Sequence, residues 1–158
     1  GYVCSTLALF GAAIAYYNRT GKDTLEGMRG MAETQPFLAM VITISLFSFA
    51  GLPLFAGFAT KLFMFQASTA GGALLWLVGI AVLNSFISLY YYLRVMRWMY
   101  LFEPAEGVTR FRVPPLLWGV TAALMLGVVF IGVYPRPVFE AADEAVRPLF
   151  EVGADIDR

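Results

Sequence analysis

Lys61 is the one ionisable side chain set deep in an apolar run of this chain, and about two turns before it the sequence interrupts its own helix. The apolar run reaches from about Pro36 to Ser68. As one straight helix it would measure roughly 48 Å at about 1.5 Å per residue, against a hydrocarbon core of about 30 Å. Gly51, Pro53 and Gly57 supply the interruption. Pro53 lacks a backbone N–H and its ring crowds the carbonyl of Phe49, so regular helix should fail there. Backbone freed inside a membrane must be satisfied by neighbouring protein or by water. An amine shielded from bulk water loses hydration of its charged form, which brings release and recapture of a proton within reach; a carboxylate beside it reverses that effect. A buried lysine beside a helix break is therefore chemistry suited to moving a proton. Ser45, Ser48, Thr60, Asn84, Ser85 and Ser88 are the neutral polar residues able to hold water near it, with Ser48, Thr60, Asn84 and Ser88 the candidate supports of a path. The plainer alternatives stay open. Lys61 could snorkel to an interface as an anchor, and Gly51 and Pro53 could kink a helix for packing alone.

The elements that would position these residues are legible in the hydropathy pattern. Apolar residues make up 59% of the 158 and charged residues only 14%, against roughly 25% in soluble domains, so the chain is expected to be an all-α integral membrane protein. Four spans are expected, at about residues 2–17, 36–68 (the discontinuous one), 73–101 and 114–134. Gly11, Ala12, Ala13 and Ala15 give the first a small-residue side for close helix contact. Between the first two spans, Leu25, Met28 and Met31 recur at threes and suggest a short helix at the interface. Pro36 opens the second span and Pro114-Pro115 the fourth. Trp76, Trp98 and Tyr100 suit the water interfaces of the third, with Arg94 and Arg97 as anchors. A tail over 137–151 spaces its apolar residues as an amphipathic helix.

Positive charge gives an orientation. Arg19, Lys22 and Arg29 lie in the first polar loop, and Arg94, Arg97, Arg110 and Arg112 in or beside the second, whereas the connection between spans two and three carries none. The positive-inside rule puts both basic loops in the cytoplasm and the C-terminus outside. Zero net charge gives no footprint for nucleic acid, and a chain with one cysteine and no histidine has no internal disulfide and no Cys-rich metal site. The opening Gly1-Tyr2-Val3 falls in mid-run, as expected of a piece of a longer chain.

The pattern Ser48-x-Ala50-Gly51-Leu52-Pro53, then Gly57-Phe58, then Lys61, resembles the broken-helix signature of the antiporter-like subunits of respiratory complex I. Leu89-Tyr90-Tyr91-Tyr92-Leu93-Arg94-Val95 and the closing Gly132-Val133-Tyr134-Pro135-x-Pro137 are similar to subunit N of NADH–quinone oxidoreductase. The resemblance implies a final third of such a subunit, in a bacterial cytoplasmic membrane. It implies a role for Lys61 in a midplane line of charged residues that carries protons. It also implies that NADH, FMN, Fe–S clusters and quinone are held by other subunits, with none bound here. Its partners would be subunits M and K, lipid and the preceding part of the same subunit. Two other classes remain beside it, a subunit of a multisubunit cation/proton antiporter and a structural membrane subunit in which Lys61 transports nothing.

Overall fold

A computed structural model describes residues 1–69 and 75–141, and within them the secondary structure is helical throughout. The helices are α1 (Tyr2–Thr20), α2 (Met31–Thr34), α3 (Pro36–Ala50), α4 (Ala56–Thr69), α5 (Leu75–Leu101) and α6 (Pro115–Val133). Helix resumes over 136–141 after Pro135, where Phe139 lays its ring 3.9 Å from that of Phe63 on α4. The expected amphipathic tail lies beyond this point mostly outside the described residues, as does the connection at 70–74.

Two helices, Trp76–Leu101 within α5 and α6 itself, are long and apolar enough to cross a membrane by length and composition. The expected second span is divided. Helix α3 has 15 residues and α4 has 14, each about 21–23 Å long, so only the two together approach the thickness of a hydrocarbon core. Helix α1 runs three residues past its expected end, to a left-handed Gly21 whose N–H returns to Tyr17 O. That is the usual glycine stop, because a Cβ disfavours this backbone conformation.

The core forms where α1 meets α3 and α6. Ala8, Ala12 and Ala15 are buried along one side of α1, and their small side chains let Leu38, Val41 and Ile42 of α3 approach. Tyr16 is fully buried in this seam, and its hydroxyl donates to Gly27 O at 2.9 Å. Tyr16→Phe deletes that bond and leaves a buried carbonyl short of a donor. Its cost should be about 1–2 kcal/mol, measured as a lower unfolding midpoint of the purified full-length subunit in detergent.

The first polar loop departs from expectation. Residues 24–30 form turns, and helix is confined to the four residues of α2 after a left-handed Gly30. Gly27 and Gly30 account for the shortfall, since glycine weakens helix and favours turns. Met31 is buried in the core and Met28 packs against it, so these two methionines face protein while Leu25 stays exposed. Main-chain carbonyls of the second polar loop receive the first loop: Lys22 Nζ donates to Glu106 O, Arg29 Nε to Glu103 O and Gln35 Nε2 to Phe111 O, at 2.8–3.2 Å. Ala105 N–H returns the contact to Arg29 O. Both basic loops thus sit at one end of the helix bundle.

Candidate functional site

The end of α3 leaves four carbonyls, those of Phe47, Ser48, Phe49 and Ala50, without partners inside the helix. Gly51 takes a left-handed φ of 80°, and this turns the chain so that Leu52 N–H reaches Phe47 O and Gly51 N–H reaches Ser48 O. These two bonds form a Schellman-type stop. The last two carbonyls are taken by the lysine. Lys61 Nζ donates to Phe49 O and to Ala50 O, both at 3.0 Å. Its third bond goes to Ser85 Oγ on α5 at 3.1 Å. Three donors meet three acceptors, the full complement of an ammonium. The site also lies at the negative end of the α3 dipole, which favours a cation.

The sequence places the interruption at Gly51, Pro53 and Gly57, with the freed backbone satisfied by protein or by water. Helix α3 stops at Ala50, where Gly51 enters the left-handed region, and the freed carbonyls hold the lysine itself. Pro53 shapes the turn between the two helices. Residues 52–55 close it through Phe55 N–H to Leu52 O at 3.4 Å, with Pro53 at the position where its fixed φ fits and Leu54 after it at a φ of 80°.

Helix α4 then starts against the last turn of α3. A side chain on Gly57 would run into the carbonyl of Ser48, so only glycine permits this approach. Gly57 N–H donates to Ser48 Oγ at 3.1 Å, and Ser48 Oγ also receives Ser5 Oγ of α1 at 2.9 Å. Ser48, which is 2% exposed, therefore joins α1, α3 and α4 at the break. Ser48→Ala removes the acceptor of a partly buried N–H and a buried hydroxyl. It should cost about 1–3 kcal/mol, read as faster proteolysis of the assembled subunit.

Two cavities share Lys61 in their walls. One of about 260 Å³ is lined by Gly51, Phe58, Leu62, Phe65, Ser85 and Phe86 among others. The second, of about 230 Å³, is lined by Tyr2, Ser48, Phe49, Gly57, Thr60 and Tyr92. Of the candidate supports, Ser48 and Thr60 thus share a cavity with Lys61, although Thr60 Oγ1 itself donates to Ala56 O. Asn84 and Ser88 line neither: Asn84 is exposed, and Ser88 donates to the Asn84 carbonyl one turn back. Ser85 is one of the six neutral polar residues named above as able to hold water near Lys61, with nothing in the periodicity to single it out.

The sequence profile described as NADH:quinone oxidoreductase/Mrp antiporter, TM, matches residues 1–88, more than half of the chain. The chain belongs to this family. Its matched region ends just past Ser85 and includes the break, Lys61 and the three residues that accept hydrogen bonds from the amine. Among relatives, NADH-quinone oxidoreductase subunit N of Moorella thermoacetica is 37% identical over 149 residues, covering 94% of this chain and 31% of the relative. Subunit N 1 of the same enzyme from Rhizobium meliloti is 37% identical over 152 residues, again 94% of this chain and 31% of the relative. F(420)H(2) dehydrogenase subunit N of Methanosarcina mazei is 37% identical over 128 residues, 80% of this chain and 26% of the relative. The chain thus spans less than a third of the length of these curated relatives, and the family resemblance read from its motifs is borne out.

Proposed function

We propose that this chain is part of a subunit-N-like, non-redox membrane component of an NADH:quinone oxidoreductase, and that it translocates protons through Lys61. The observation that carries the reading is the capture of the Lys61 ammonium by two carbonyls freed at a helix break. Among the described residues the ammonium is held by neutral acceptors alone, fixed in place by geometry and not by an opposing charge. A carboxylate brought near it would hold the proton, and one withdrawn would let it go. Charges inside a membrane are functional by default. Relatives named for two different electron donors, NADH and F(420)H(2), support a subunit whose task does not depend on the donor.

In this reading α1, the α3–α4 pair, α5 and α6 are four spans, the second of them discontinuous, within a larger antiporter-like bundle. The protein lies in a bacterial cytoplasmic membrane with its basic loops inside and its C-terminus outside. Subunits M and K, lipid and the rest of the same subunit are its neighbours, and NADH, FMN, Fe–S clusters and quinone are bound elsewhere in the complex. The Mrp half of the family description favours a second reading, a subunit of a cation/proton antiporter. Purification of the full-length protein from membranes separates the two. Co-purifying NADH oxidation that acidifies proteoliposomes in the presence of quinone is the expected result. Exchange of a cation for protons with no NADH oxidation in the same fraction would replace the first reading by the second.

A further inference from the structure

Three groups hold the Lys61 amine, and they are not chemically equivalent. Phe49 O and Ala50 O are carbonyls and can only accept. Ser85 Oγ can do both: it accepts from Lys61 while donating its own hydrogen to Ala81 O at 2.9 Å. That arrangement suits the charged ammonium, because the bond to Ala81 O leaves the hydroxyl lone pairs facing Nζ. Once the ammonium loses a proton, its nitrogen gains a lone pair and needs a donor. Neither carbonyl supplies one. Rotation of the Ser85 hydroxyl away from Ala81 O and toward Nζ does, without moving a heavy atom. Among the described residues, Ser85 is also the one hydroxyl in the wall of the larger cavity beside Lys61, and the other described lining residues apart from the lysine carry no polar side chain.

Resting on the reading of Lys61 as a proton carrier, we infer that Ser85 is a positioning residue that holds the amine in both of its protonation states. In the charged state it accepts and in the neutral state it donates, so Nζ keeps its place at the end of α3 through each cycle. The serine neither gains nor loses a proton overall. Its reorienting hydroxyl matches the partner to the load on the lysine. Without it the two carbonyls still take the neutral amine's two N–H groups, but its lone pair has no donor, and Nζ is held less firmly at the break.

The test uses the assembled complex with the full-length subunit in proteoliposomes, and compares protons moved per NADH oxidised for Ser85→Ala, Ser85→Thr and Lys61→Ala. Native gels establish assembly for each. Ser85→Ala is expected to lower the proton yield at least threefold with assembly intact. Ser85→Thr is expected to restore it, since threonine keeps a hydroxyl that can bond one turn back along the helix. Should Ser85→Ala fail to assemble, Ser85→Cys keeps the size with a weaker donor and acceptor and must show a smaller loss in the same direction. Full pumping by Ser85→Ala or Ser85→Cys beside a defective Lys61→Ala overturns the role of Ser85 and leaves that of Lys61 standing. Full pumping by Lys61→Ala overturns the reading beneath it.

Discussion

Lys61→Ala in the full-length subunit should abolish most of the proton translocation that runs through it while the complex still assembles. One deletion has two consequences. The proposed proton carrier disappears, and the carbonyls of Phe49 and Ala50 lose the donor that capped α3. Each orphaned carbonyl costs about 1–3 kcal/mol if nothing replaces the amine, though water entering the adjoining cavities offsets part of this. Stability and function therefore have to be measured apart, by thermal unfolding in detergent and by proton uptake in proteoliposomes. Lys61→Arg is the informative companion. Guanidinium keeps the positive charge and donates as well as lysine, but it does not give up a proton in proteins. It should hold α3 and still stop translocation. Normal translocation by Lys61→Arg would show that charge alone is needed there, and would remove the amine from the proton path.

The second large effect is expected at Gly57. Gly57→Val puts a branched side chain into the space occupied by the Ser48 carbonyl, so the start of α4 must move away from the last turn of α3. Overpacking of this kind costs about 1–3 kcal/mol, and rigid backbone as the obstacle puts it at or above the upper end of that range. The same displacement carries Lys61 off its two carbonyls, because Lys61 lies one turn further along α4. The expected result is poor assembly, with the residual complex pumping weakly. An assembled, fully coupled Gly57→Val complex would show that α4 can shift without disturbing the amine. Gly51→Ala gives a graded comparison. It forces a Cβ into left-handed backbone and toward Lys61 Cδ, which would lie 2.8 Å away.

How much of the molecule is legible in its sequence varies with the kind of question. The region of the break, the lysine beyond it and the helical stretches are set by glycine, proline and run length, because those act locally. The direct capture of Lys61 by Phe49 O and Ala50 O is not. It depends on how sharply residues 51–55 turn, and the left-handed φ of Leu54, a residue type that rarely adopts it, carries no local signal. Choosing among Asn84, Ser85 and Ser88 fails for a different reason. Helix α5 is apolar nearly all the way round, so nothing in its composition fixes which side turns toward α4. The loop of Met28 and Met31 misleads because the spacing of threes fits either a helix on a membrane surface or turns folded inward. Two glycines decide for the latter.

The clasp between the two basic loops has one further implication. Lys22, Arg29 and Gln35 reach peptide oxygens of Glu106, Glu103 and Phe111, and not the carboxylates of the two glutamates. Peptide oxygens persist whatever side chain is attached and whatever the acidity of the medium. Neutral substitution of Glu103 or Glu106 should therefore leave this end of the molecule fastened.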